Sequence, residues 1–135
     1  MPIYKKMFFA LFIILTMISV IIIHELGHLF AALLLGYPVE SFNIGFWNSF
    51  YSFYIGDLLI SLNVIPLGGY VALSDSFNVA QSSPLGFLSF ALSGIFLNLL
   101  TALIILKSKI TMIKQLAVSR DIAHIMEYKR KKNKP

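Results

Sequence analysis

Residues 24 to 28 read His24-Glu25-Leu26-Gly27-His28. On a helix, side chains four positions apart stand on one face one turn apart, so the two imidazoles point the same way. That spacing fits two ring nitrogens onto one tetrahedral zinc ion, with Glu25 close enough to take a proton from a water that the metal activates. Zinc lowers the pKa of such a water toward about 7, which makes hydroxide available at neutral pH to attack a polarised carbonyl. The chemistry expected is hydrolysis of a peptide bond, with Zn2+ as cofactor, His24 and His28 as metal ligands and Glu25 as general base. The chain contains no cysteine, so thiolate zinc sites, cysteine nucleophiles and disulfide frameworks are all excluded.

The elements that must carry this triplet are apolar. Hydrophobic residues make up 58% of the 135-residue chain and charged residues 13%, against about 45–50% and about 25% in an ordinary soluble domain. With a mean hydropathy of +0.82, the composition argues against a water-soluble globule. We read residues 1–135 as a single α-helical membrane domain. Met7 to Ile23 is 17 residues without an ionisable group, and the chain is apolar again from Leu29 to Leu35. A helix over residues 7–36 is about 45 Å long, enough to cross a hydrocarbon core of about 30 Å. A cleaved signal peptide fits less well, because the apolar run exceeds the usual length and no small-x-small site follows it. Residues 84–106 predict a second transmembrane helix that starts after Ser83-Pro84, with Ser89, Ser93, Gly94, Asn98 and Thr101 as its small or polar members.

Between the spans, residues 38–75 predict a membrane-associated β-hairpin or re-entrant segment of two or three short strands. Phe42, Phe46, Trp47, Phe50, Tyr51, Phe53 and Tyr54 fall within thirteen residues, and Gly56-Asp57 is a hairpin-turn dipeptide. So many aromatics suggest a sheet at the membrane interface. Gly68-Gly69 marks a sharp bend or a close approach of the backbone. Residues 107–135 form a basic tail holding nine of the eleven Lys and Arg and accounting for the net charge of +5. A short helix from Arg120 to Lys131, capped by Ser119, is expected there, lying on anionic headgroups. No motif points to nucleic acid.

An apolar setting gives the triplet its weight. A charged residue mid-span costs about 2.5–3.5 kcal/mol on insertion scales, so three ionisable residues in five positions need a stabilising partner. A zinc ion is one. Two other readings remain at this point: the three side chains satisfy each other inside a bundle, or they form a proton or ion relay.

These residues resemble the site-2 protease family of intramembrane zinc metalloproteases, peptidase family M50. Four landmarks occur in the family's order across about residues 20 to 100: the His24-to-His28 motif; the strand-like Phe42-Asn43-Ile44-Gly45-Phe46; Ile65-Pro66-Leu67-Gly68-Gly69-Tyr70-Val71, close to the family's re-entrant loop motif; and Gly94 with Asn98, in a pattern usually written Gly-Pro-x-x-Asn. The first and third are specific. The resemblance implies cleavage of a transmembrane substrate within or near the bilayer, with the unwound substrate held by strand addition. It also implies zinc ligation by His24 and His28, general-base catalysis by Glu25, and substrate positioning by Gly68, Gly69 and Asn98. The expected partners are a transmembrane protein substrate and the lipid bilayer, in a multi-pass protein of the bacterial cytoplasmic membrane.

The sequence departs from the family pattern in three ways. No Leu-Asp-Gly-type motif, the family's source of a third zinc ligand, occurs in it. Glu40, Asp57, Asp75, Asp121, His124 and Glu127 are the remaining candidates, and spacing selects none of them. Ile95 stands at the usual Pro position, and neither the PDZ-like domain nor a third core helix is present. A compact variant, a split or truncated product, a second subunit supplying the missing elements, and a catalytically silent relative that binds membrane partners all fit this pattern. A small structural or pore-forming membrane protein fits the composition but not the glycine loop. The positive-inside rule puts both ends in the cytoplasm and so, with His24 about 26 Å along the helix from Met7, the zinc near the outer face, whereas the resemblance implies a site near the cytoplasmic face; a third short membrane contact by the tail or assembly with another subunit would reconcile the two.

Overall fold

The computed structural model describes residues 2–78 and 82–132, the last six of these by their backbone alone. The element order is α1 (Ile3–Leu34), β1 (Val39–Ile55), β2 (Leu58–Leu73) and α2 (Pro84–Lys132). Two compact units result, Met1–Leu99 and Leu100–Pro135. The first holds α1, the sheet and the opening turns of α2; the second is the continuation of α2.

Both helices contain segments long and apolar enough to cross a membrane, Ile3–Leu34 and Pro84–Met126. Their apolar side chains are largely exposed, and the buried hydrophobic core among the described residues is only Leu29, Ala32 and Phe42. A soluble protein of this size would bury such helices.

α1 ends in a glycine cap. Gly36 has φ +70°, its N–H bonds to the Leu33 carbonyl at 3.2 Å, and the Tyr37 N–H reaches the Ala32 carbonyl at 2.8 Å. This pair of bonds satisfies the last carbonyls of the helix and turns the chain into Pro38. Tyr37 packs on Phe77 and Phe90 with ring centroids 4.5 and 6.1 Å away, which ties the start of the sheet to α2.

β1 and β2 form one two-stranded antiparallel sheet. They are longer than the short strands expected, at 17 and 16 residues, and they turn at Gly56-Asp57 as the sequence predicts. The register is not simple. Ser41, Phe42, Asn43 and Ile44 each face two partners, once toward Gly69–Ala72 and once toward Leu59–Leu62. The first half of β1 therefore lies between the two halves of β2. The chain achieves this by bending at Gly45 (φ +85°) and Trp47 (φ +76°). A Cβ at Gly45 would stand 2.6 Å from the Ile65 carbonyl oxygen, so the bend also demands close backbone approach.

The sheet's inner surface is polar. Ser41, Asn43, Ser61 and Asn63 are buried and paired: Asn43 Nδ2 donates to Ser41 Oγ at 2.8 Å, Asn63 Nδ2 to the Gly45 carbonyl at 2.9 Å, and Ser52 Oγ to Ser61 Oγ at 3.1 Å. No buried side-chain polar atom among the described residues lacks a partner.

α2 begins at Pro84. Ser83 caps it, its carbonyl accepting from the Phe87 N–H at 2.9 Å and its Oγ from the Gly86 N–H at 3.5 Å. The separate helix expected over Arg120–Lys131 is a correction: this stretch is part of one continuous α2. The physical reason is plain in the sequence, since no Gly or Pro occurs from Ile95 to Lys132 to end the helix.

Candidate metal centre

α1 brings the motif to the sheet and to α2 at a single crossing. A Cβ on Gly27 would lie 2.5 Å from the Ser93 carbonyl oxygen and 2.8 Å from Gly94 Cα, and one on Gly94 would lie 2.6 Å from His24 Nε2 and 2.7 Å from His28 Nε2. Two glycines facing each other let the backbones touch, as small residues do between membrane helices.

Four residues apart on α1, the imidazoles of His24 and His28 meet edge to face, with centroids 4.9 Å apart. Their Nε2 atoms are 3.2 Å apart. Two nitrogens on a tetrahedral zinc, each about 2.0–2.1 Å from it, are about 3.3 Å from one another. The pair is thus at the separation that one shared ion requires. Each ring is held from behind by α2. His28 Nδ1 lies 2.8 Å from the Phe90 carbonyl oxygen and 3.3 Å from Ser93 Oγ, and Asn98 Nδ2 lies 3.4 Å from His24 Nδ1. Such outer partners fix the orientation of ligating imidazoles.

Glu25 is buried against Gly68-Gly69, which the sequence suggested as part of a re-entrant loop and which lie within strand β2. A Cβ at Gly69 would stand 2.6 Å from Glu25 Cγ and 2.7 Å from the Asn43 carbonyl oxygen, so only glycine leaves room for the carboxylate side chain there. Gly68, at φ +132°, turns the backbone beside it and packs on the Phe46 ring. A cavity of 270 Å³ opens onto this corner, lined by Val20, Ile21, His24, Glu25, Gly68 and Asn98. The structure therefore brings His24, Glu25, His28, Gly68, Gly69 and Asn98 to one place.

No group of three or more His, Cys, Asp or Glu that could hold a metal ion occurs among the described residues. Glu40, Asp57, Asp75, Asp121 and His124 are exposed, and the side chain of Glu127 lies outside the described residues. The donor set present is two imidazole nitrogens with a carboxylate beside them.

A sequence profile of peptidase family M50 matches residues 12–130. The chain belongs to this family. Among its relatives are two proteins provisionally named zinc metalloproteases, from Helicobacter pylori (34% identical over 108 residues, 68% of this chain and 30% of the relative) and Clostridium perfringens (31% over 104 residues, 72% and 31%). A third with the same provisional name, from Chlamydia trachomatis, is 47% identical over 53 residues, 39% of this chain and 9% of its own. The chain spans about a third of the length of the first two.

Three parts of the site escaped the sequence. Ser93 appeared there only as a polar member of a span, Phe90 acts through its backbone carbonyl, and Val20 and Ile21 line the cavity from the turn before the motif. A signal existed for one of them. Ser93 immediately precedes Gly94, and a hydroxyl beside a helix-crossing glycine faces the neighbouring helix.

Proposed function

We propose that this chain is the core of a membrane-embedded zinc metalloendopeptidase that hydrolyses peptide bonds of transmembrane substrates in the site-2 protease manner, in a bacterial cytoplasmic membrane. One observation carries the reading: the 3.2 Å separation of His24 Nε2 and His28 Nε2 beside a buried carboxylate. The exposed apolar faces of both helices support a lipid environment.

His24 and His28 would hold the metal through Nε2. The chemistry that zinc supplies at such a site is polarisation of the scissile carbonyl and acidification of water. Glu25 then accepts the proton of the attacking water on a carboxylate oxygen and delivers it to the leaving amide nitrogen. Its burial against Gly69 keeps the carboxylate at the cavity and limits competing bulk water. The bond to be cut must be extended, because a helix hides its peptide groups. The second half of β2 pairs on one side with β1, and no strand pairs with its other edge among the described residues. A substrate strand added there would run past Gly68 and Gly69 toward Glu25. Catalytic zinc centres keep three protein ligands, and a partner subunit or segment supplies the third in this proposal.

A second reading, a relative that binds membrane partners without cleaving them, is favoured by the presence of only two metal-binding imidazoles among the described residues. Metal analysis and a cleavage assay on the chain purified from its native membrane together with whatever binds it, reconstituted in proteoliposomes with a transmembrane reporter, separate the two. The expected result is about one zinc per chain, with Glu25→Gln abolishing cleavage while zinc stays bound. Zinc without cleavage by the unaltered chain selects the binding reading. A chain with neither rules out both the metal site and the protease.

A further inference from the structure

His24 and His28 face each other Nε2 to Nε2 at 3.2 Å; whenever no metal bridges them, two bare lone pairs at that distance repel, so one of the two nitrogens must then carry a hydrogen. The far side of His28 decides which ring owns it. His28 Nδ1 is 2.8 Å from the Phe90 carbonyl oxygen, which can only accept. Ser93 Oγ gives its own proton to that same oxygen at 2.6 Å, and so offers His28 Nδ1 a lone pair at 3.3 Å. With acceptors on both approaches, Nδ1 of neutral His28 carries the hydrogen and its Nε2 is bare. The proton between the rings therefore belongs to His24 Nε2. This leaves a lone pair on His24 Nδ1, and Asn98 Nδ2, 3.4 Å away, donates to it.

Metal ligation needs the reverse arrangement at His24 and no change at His28. His24 must present a bare Nε2, so its hydrogen must sit on Nδ1, and whatever faces Nδ1 must then accept. An amide is an uncharged side chain that can do either, by a half-turn that exchanges Nδ2 for Oδ1. We propose that Asn98 is a two-way hydrogen-bond partner that lets His24 exchange tautomers, Nε2–H in the metal-free chain and Nδ1–H when Nε2 ligates. The exchange balances: the proton that leaves Nε2 passes to solvent in the cavity that His24 and Asn98 line, solvent returns one to Nδ1, and the ring is neutral before and after. Asn98 is then a positioning residue for His24. The metal-bound half of this proposal rests on the zinc reading above; the metal-free half does not.

The test uses the full chain in detergent with its histidine rings labelled with ¹⁵N, and zinc as the probe. Long-range ¹H–¹⁵N spectra read which ring nitrogen carries hydrogen. The metal-free chain is expected to show His28 as Nδ1–H and His24 as Nε2–H, and added zinc to move His24 alone to Nδ1–H. Asn98→Leu, which can neither donate nor accept, should weaken zinc binding by about 10- to 100-fold. Asn98→Asp, which when ionised only accepts, should place a hydrogen on His24 Nδ1 without metal and bind zinc at least as tightly as the parent. Ser93→Ala should leave the His24 tautomer unchanged. Finding His24 already Nδ1–H in the unaltered metal-free chain, or unchanged zinc affinity in Asn98→Leu, overturns the exchange. Zinc that shifts neither ring overturns the metal site itself, a separate and distinguishable failure.

Discussion

Gly94→Ala is the sharpest probe of the α1–α2 crossing. The added methyl would stand 2.6 Å from His24 Nε2 and 2.7 Å from His28 Nε2, where ordinary contact begins at 3.4 Å. The rings must retreat by about 0.8 and 0.7 Å, and retreat in diverging directions carries their nitrogens beyond the present 3.2 Å toward about 4 Å, nearly the full span of two zinc–nitrogen bonds of about 2.0–2.1 Å in line. Overpacking of this kind costs about 1–3 kcal/mol. At about 1.4 kcal/mol per tenfold in a binding constant, zinc affinity should fall by roughly 5- to 150-fold. The fold should survive, because alanine gains up to about 1 kcal/mol over glycine within a helix and the obstructing atoms belong to side chains that can turn. Gly27→Ala is the contrasting control. Its methyl meets the Ser93 carbonyl oxygen at 2.5 Å and Gly94 Cα at 2.8 Å, which are backbone atoms, so the helices themselves must part. Chelator competition for zinc and thermal unfolding followed by circular dichroism, both in detergent, should show Gly94→Ala losing metal with its fold retained and Gly27→Ala losing both. A Gly94→Ala chain that binds zinc as the parent does would refute the claim that the two nitrogens share one ion at this crossing.

Gly69→Ala would set a methyl 2.6 Å from Glu25 Cγ, so turnover of a transmembrane reporter should drop at least tenfold, on the order of the 10²–10⁴-fold that a positioned acid–base group contributes, while zinc content stays at the parent level. Asn63→Ala removes the 2.9 Å bond to the buried Gly45 carbonyl and should lower unfolding free energy by about 1–3 kcal/mol, read by denaturant titration in detergent; an unchanged midpoint would show that the bend in β1 does not depend on it. Trp47→Gly relieves a φ of +76°, worth roughly 1–2 kcal/mol for a non-glycine residue, and removes an exposed ring. Denaturant stability should hold or rise while partitioning of the chain into vesicles falls, and a loss of stability would mean that the ring packs.

What could be read in advance depended on whether an interaction is periodic along the chain. The His24–His28 face follows from helical spacing, and the hairpin follows from Gly56-Asp57 between two strand-forming runs. The packing of Glu25 against Gly69 was half legible: paired glycines announce a close approach but not what approaches. The doubled register of Ser41–Ile44 was hidden, because it comes from a bend at Gly45 and Trp47, and tryptophan is a poor advertisement for a left-handed backbone. The hold of Phe90 on His28 had no signature at all, since every residue in every helix has a carbonyl. It is available there because Ser93 and the tight crossing at Gly94 bring that turn of α2 against the ring.

Both imidazoles belong to α1, so the spacing of the motif alone calls for no second helix. The geometry divides the work differently. On an isolated helix the two rings would each sample several rotamers, and an Nε2 separation suited to one ion would be one arrangement among many. α2 narrows this from three directions: Phe90 and Ser93 fix the face of His28, Asn98 meets His24 from behind, and Gly94 leaves the space between the two nitrogens clear. A pre-oriented pair loses less entropy on ligation, which matters most where the protein offers few donors. The spacing of the motif explains why a metal site is conceivable on α1. The composition of the facing turns of α2, a glycine flanked by a hydroxyl and an amide, explains why the two rings stand ready for one.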